Sequence, residues 1–289
     1  MPGQHERQPP ALAEISESAA TGSVAALYAD IRETLGADLV NLVYRHLATV
    51  PGALEWAWAN LGPHFRSGEF DAQAAMLRER VQQAFSAWPA AFQFATGHAA
   101  DLASAAQLAQ VYTLNNSRNL MAFRHLLDEG AVGAAAAAPP LARQIVHPAA
   151  AAGPAVTLPP IPSWDTINSV DAETVRRLNR LGEAGEPAIV ASLYRHLALW
   201  PAVLGDVEAA LVQLDARRDI ARALAFTVDA SRSIARAHPL AMPAAAPAAV
   251  DAALRARLRV FADVTIPKMV PVGLALETAF TAATVPTLP

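Results

Sequence analysis

The sequence predicts an all-α protein of two fused homologous helical repeats, a pseudo-dimer with a ligand site at their interface, and three observations carry that reading. Of the 289 residues, 68 are alanine, which has the highest intrinsic helix propensity and is depleted in strands. Apolar residues recur at three- and four-residue spacing, and no segment sustains the two-residue alternation of a half-buried strand. Finally, residues 39–54, LVNLVYRHLATVPGAL, and residues 189–204, IVASLYRHLALWPAVL, align without a gap and share the word Tyr-Arg-His-Leu-Ala. A repeat found at this level governs how the rest of the chain is divided.

Taken in order, the periodicity predicts helices over 22–35, 39–50, 52–60, 71–86, 101–113 and 117–128 in the first copy. The second copy repeats the series over 171–182, 189–200, 202–212, 216–236, 250–262 and 268–282. Leu39, Leu42, Val43, His46, Leu47 and Val50 lie on one helical face that Pro51 ends, and Ile189 to Trp200 before Pro201 has the same register. Val24 and Leu27 correspond to Val175 and Leu178, and Val111-Tyr112 to Val260-Phe261. The expected organisation is an N-terminal helical repeat over 1–129, an Ala/Pro-rich linker over 130–163 and a C-terminal helical repeat over 164–289. The five-alanine run in the linker is too short to hold a helix alone. The segment 238–250, HPLAMPAAAPAAV, reads as an inter-helix loop, and both termini as loosely held.

Composition excludes several classes. A net charge of −4 and a pI near 6.1 lack the basic excess that phosphate-backbone binding needs, so no nucleic acid is expected as partner. With no cysteine, thiol catalysis, disulfides and thiolate metal sites are out. The start, MPGQHERQPP, has no apolar signal region, and apolar stretches are interrupted before the length a membrane span requires, so no membrane and a cytoplasmic location are expected. Dinucleotide, P-loop, zinc-protease and serine-hydrolase signatures are missing, the acids and histidines show no metal-ligand cluster, and no cofactor is expected.

Polar residues inside apolar patterns are the candidates for chemistry. His46 and His196 fall on the apolar face of the repeated helix, either as hydrogen-bonded core histidines or as a base or anion-binding pair at the interface. Arg45 and Arg195 lie 100° round from them, solvated or tied to acidic neighbours. Ser192 stands where the first copy has Leu42, so the two faces differ chemically. The run Asn115-Asn116-Ser117-Arg118-Asn119 reads as a helix junction capped by Asn116 or Ser117, or as a loop binding a carboxylate with Arg118. Asp165 is expected before or at a helix cap. Trp56 and Trp58 face different sides of one helix.

With these residues in view, the chain resembles the DehI-type (group I) 2-haloacid dehalogenases. The resemblance rests on Tyr28-Ala-Asp-Ile-Arg-Glu-Thr-Leu, Leu47-Ala-Thr-Val-Pro-Gly, Ala57-Trp58, Leu77-Arg-Glu-Arg, Tyr112-Thr-Leu-Asn115, Pro187-Ala188 and Ala198-Leu-Trp200-Pro201. It implies an all-helical protein of two similar halves. A small haloalkanoic acid would sit between them, and water activated by an aspartate on the second-copy helix would displace halide without an ester intermediate. Counted back from Trp200-Pro201, that aspartate's place is held by Leu193, while Ser192 matches the family serine. The resemblance places Leu39 and Leu42 among pocket residues and Arg118, or a neighbouring asparagine such as Asn115, where the family has an asparagine used with the water. Leucine cannot take a proton, and His196, three residues on, is the conceivable substitute base. If the chain is active, it is a hydrolase of carbon–halide bonds. The alternative is a non-catalytic protein binding a small organic acid or apolar ligand. Small (halo)carboxylic acids are the expected partners, and a homodimer is left open.

Overall fold

In the computed structural model, which describes residues 12–95, 98–128, 158–183, 187 and 189–284, every regular element among the described residues is helical. Helix α1, Gly22–Leu35, spans the predicted residues and stops at Gly36, whose left-handed φ of 64° turns its N–H back to the carbonyls of Arg32 and Glu33. The six-residue α2, Leu42–Leu47, and its counterpart α7, Ser192–Leu197, carry the repeated word. Each runs through a turn and a proline into a longer helix, α3, Ala53–Arg66, after α2 and α8, Pro201–Ala216, after α7. The sequence predicts one long helix over 39–50; the structure keeps only its middle, because residues 39–41 and 189–191 are not helical and form the lead-in to each short helix.

Helix α4, Glu69–Ala84, follows with two acids in its first turn, where they complement the helix dipole. The long α5, Ala99–Leu127, runs 29 residues without a break. This overturns the helix junction expected at Asn115–Asn119: the polar run lies mid-helix, so Asn116 and Ser117 cap nothing. In the second half, α6, Ser169–Arg180, is capped by Asn168, whose side chain accepts from the Asp171 N–H, while Asp165 lies outside the helix. Helices α9, Asp219–Ala237, and α10, Ala252–Val260, come next, the latter capped by Asp251. A π turn over Phe261–Thr265 then joins α10 to α11, Ile266–Thr284. Pro267 has no N–H to offer the Asp263 carbonyl, and the chain widens there instead of ending. Much of the predicted linker, residues 129–157, and the chain ends, 1–11 and 285–289, lie outside the described residues.

Two apolar clusters form the core, and both draw on both halves of the chain. One gathers Tyr28, Tyr44, Leu54, Phe70 and Phe123 with Leu258 and Val270. The other gathers Trp88, Leu108, Tyr194, Leu204, Leu211 and Phe280. Helices α5 and α11 contribute to both and pack along each other. They approach tightly at Gly273: a Cβ there would meet Thr113 Oγ1 at 2.5 Å and Thr113 Cβ at 3.4 Å. Thr113 is wholly buried and its hydroxyl is held by the Ala109 carbonyl. Gly273→Ala is therefore expected to cost about 1–3 kcal/mol in urea unfolding despite alanine's better helix propensity. In a Thr113→Ala background the same change should become neutral or stabilising; a loss of equal size in both backgrounds would sink this account.

Candidate functional site

The two lead-ins face each other beside the middle of α5, and the space between them is a cavity of about 50 Å³. Its walls come from four main places, with Ile161 added from the segment before α6. Leu39 to Val43 and Ile189 to Leu193 supply the two lead-ins and the first turns of α2 and α7. Helix α5 supplies Tyr112, Asn116 and Asn119, at i, i+4 and i+7 and hence on one face. Phe261, Thr265, Ile266 and Met269 close the side formed by the π turn and α11.

Hydrogen bonds fix both lead-ins. Asn179 on α6 clamps the second lead-in with both ends of its amide: Nδ2 donates to the Ile189 carbonyl and Oδ1 accepts from the Ala191 N–H, each at 2.9 Å. The chain's single lysine, Lys268, donates to the Asn179 carbonyl at 2.5 Å and pairs with Glu183. Burial drives its ammonium below the usual lysine range. The first lead-in is held differently, by the Glu17 carboxylate, which accepts the Val40 N–H at 2.9 Å and pairs with Arg32.

Two asparagines give the cavity its polarity. Tyr44 donates its hydroxyl to Asn119 Oδ1 at 2.7 Å, which leaves Nδ2 of that buried amide as a donor without a protein partner. Asn41, also buried, has an Oδ1 with no partner. A buried amide group left unpaired costs about 1–3 kcal/mol, so the wall residues Asn119 and Asn41 each carry an uncompensated polar atom. Ser192 and Thr265 add hydroxyls. Among the described residues, no acidic or basic side chain lines the cavity.

Of the residues singled out from sequence, Leu39, Leu42, Ser192 and Leu193 meet in this wall, joined by Asn116 and Asn119 of the polar run. The others lie elsewhere. Arg118, mid-helix instead of in a loop, binds Asp71 and the Leu35 carbonyl, tying α5 to α4 and to the end of α1. Asn115 is buried outside the wall, with its Oδ1 unpaired. His46 donates Nδ1–H to the Ala13 carbonyl at 2.7 Å, and burial lowers its pKa. The Nε2 of His196 donates to the Pro159 carbonyl at 2.7 Å, and its Nδ1 takes the Tyr112 hydroxyl at 3.3 Å. Both ring nitrogens are thus engaged, and His196 has no lone pair free to activate water. Both tryptophans are buried, with Trp56 bonded to the Ala244 carbonyl and Trp58 to Asp30.

The sequence reading missed Asn41, Tyr112 and Met269 as wall residues, and placed Asn116 and Asn119 in a loop instead of on a helix face. Once 99–127 is read as one helix, the i, i+4, i+7 spacing of Tyr112, Asn116 and Asn119 identifies three of the wall's polar groups.

No family model matches the chain, and no curated protein matches it. A solved structure does: that of a D-2-haloacid dehalogenase mutant in complex with D-2-CPA, similar with a TM-score of 0.66 over 95% of this chain and 96% of that one. At 15% identity the likeness is one of fold. It agrees with the all-α architecture expected from the sequence. No helix among the described residues is long and apolar enough to cross a membrane.

The neutral histidines have a pH consequence. Burial pushes both His196 and His125 down to about 4, with Arg195 adding to the effect at His196 and His64 at His125. Between pH 6.5 and 4 the unfolded chain binds protons at these positions that the native chain does not. Stability therefore falls as pH falls through that window, by up to about 1.4 kcal/mol per pH unit for each histidine. Chemical unfolding at pH 7 and pH 4.5 should show the loss, and His196→Gln should reduce it; an unchanged slope would refute the assignment.

Proposed function

We propose that the protein binds a small, largely apolar ligand with one hydrogen-bonding head, in the size range of a short 2-substituted carboxylic acid, and releases it unchanged. The carrying observation is the wall at Leu193, which is 1% exposed and stands where the resemblance calls for a water-activating aspartate. General-base assistance is worth about 10²–10⁴-fold, and His196, the one substitute the sequence offers, is committed to Pro159 and Tyr112. The ligand's polar head would be met by Asn119 Nδ2, Ser192 and Asn41, and its apolar part by Leu39, Leu42, Leu193 and Met269. On this reading the two lead-ins come from two copies of one unit, and the ligand sits where the copies meet.

The second reading, hydrolytic dehalogenation, is favoured by the fold shared with the D-2-haloacid dehalogenase mutant. Thermal unfolding in the presence of 2-chloropropanoate, propanoate or 2-butanone, beside a chloride-release assay, separates the two. Binding without turnover predicts stabilisation, about 2.7 kcal/mol at a hundred times the Kd, and no chloride. Chloride release by the unaltered chain would restore the hydrolytic reading, and no stabilisation by any of the three would overturn the pocket itself.

A further inference from the structure

A second cavity, of about 330 Å³, opens among α5, α9, α10 and the π turn. Four arginines line it, Arg124, Arg232, Arg236 and Arg259, against two acids, Asp128 and Asp263. That is an excess of two positive charges in one concavity of a chain whose net charge is −4. Such a patch, walled by low-dielectric protein, concentrates anions.

The pairing within it is uneven. A single oxygen of Asp263 serves both Arg124 and Arg232, the latter at 2.9 Å. Arg124 also donates through Nε to the Ser231 hydroxyl at 2.9 Å. Its side chain is only 8% exposed, yet its Nη2 has no hydrogen-bond partner. Burial lowers the pKa of this guanidinium, so it carries a desolvation cost that the shared carboxylate offsets only in part. Arg232 and Arg236, four apart on α9, project from the same helix face and are exposed, as is Arg259 on α10.

We propose that this cavity is a binding site for a small oxyanion of charge −2 or greater, a phosphate ester or a polycarboxylate, held by Arg232 and Arg236, with the buried Arg124 adding charge from behind. Guanidinium forks match both kinds of oxyanion bidentately, and the cavity's volume is that of an ordinary metabolite site. Phe123, Leu127, Ala235 and Ala262 would take the ligand's apolar part. The site is separate from the cavity at Leu193 and does not depend on what that cavity binds.

Isothermal calorimetry on the full chain tests this with pyrophosphate and citrate as probes, against sodium chloride at matched ionic strength. Saturable one-site binding is expected for at least one probe, and the tighter of the two identifies phosphate or carboxylate as the preferred head group. The Arg232→Ala/Arg236→Ala variant, altered only at exposed positions, should weaken it at least tenfold with an unchanged unfolding curve. Arg236→Gln alone should weaken it by a smaller factor. No saturable heat beyond the chloride blank with either probe, or wild-type affinity in the double variant, would overturn the proposal.

Discussion

Replacing Lys268 by methionine is expected to lower the unfolding free energy by about 3–5 kcal/mol, the usual loss when one member of a buried ion pair is removed. Lys268 is 1% exposed, and methionine nearly conserves its volume, so packing alone predicts a small effect. The cost arises because Glu183 keeps its charge in a largely buried place without the ammonium that faced it. A second consequence is local. The Asn179 carbonyl loses its donor, and the amide that clamps Ile189 and Ala191 is less firmly held. Hydrogen exchange at the Ala191 amide should speed up more than at amides of α1, on the far side of the chain's order. The companion change Lys268→Met/Glu183→Gln removes both charges and should recover more than half of the lost stability, since a neutral pair leaves no unpaired buried charge. Urea unfolding measures both variants. A single-variant loss below about 1 kcal/mol, or a double variant less stable than the single, would show that the pair does not hold the lead-in as described.

The helices were legible because alanine content and three-to-four spacing act locally, and α1, with a left-handed glycine after it, was readable end to end. The polar run at 115–119 was misread for a physical reason. Asn and Ser at helix interiors compete with the backbone and so suggest caps, yet here their partners come from far along the chain. Asn119 meets the Tyr44 hydroxyl, 75 residues away, and Arg118 meets Asp71, 47 residues away. Only Ser117 is satisfied locally, by the Thr113 carbonyl. The site shows the same division. Leu39 and Leu42 gather with Ser192 and Leu193 because the two segments that share the word Tyr-Arg-His-Leu-Ala meet beside α5. His46 and His196 share a helical stripe with them, but a stripe does not distinguish a residue facing a cavity from one packed against a carbonyl. Ala13 and Pro159, which bind the two rings, sit in irregular segments that no periodicity marks.

Leu193→Asp is expected to create chloride release from 2-chloropropanoate where the unaltered chain shows none, while Leu193→Asn, equally polar but without a base, does not. The side chain at 193 lines the cavity, so a carboxylate on the same Cβ reaches the space that a ligand and one water would share. Asn119 Nδ2, fixed by Tyr44 and lacking a partner, is a donor in that wall able to hold the water or the leaving halide. Asn41 Oδ1 offers a matching acceptor. Desolvation would raise the new carboxyl above its usual range, and the rate should rise with pH through that raised value as the base ionises. Stability should move the opposite way. An acid with a raised native pKa binds its proton more tightly folded than unfolded, so relative to the unaltered chain the variant loses stability as pH climbs from about 4 through the raised value and regains it on acidification. The variant's deficit against the unaltered chain is therefore smallest where it is inactive and largest where it is most active. A folded Leu193→Asp chain that releases no chloride at any pH in this window would show that the chemistry needs groups beyond the base, and that the wall departs from a hydrolytic site at more positions than 193.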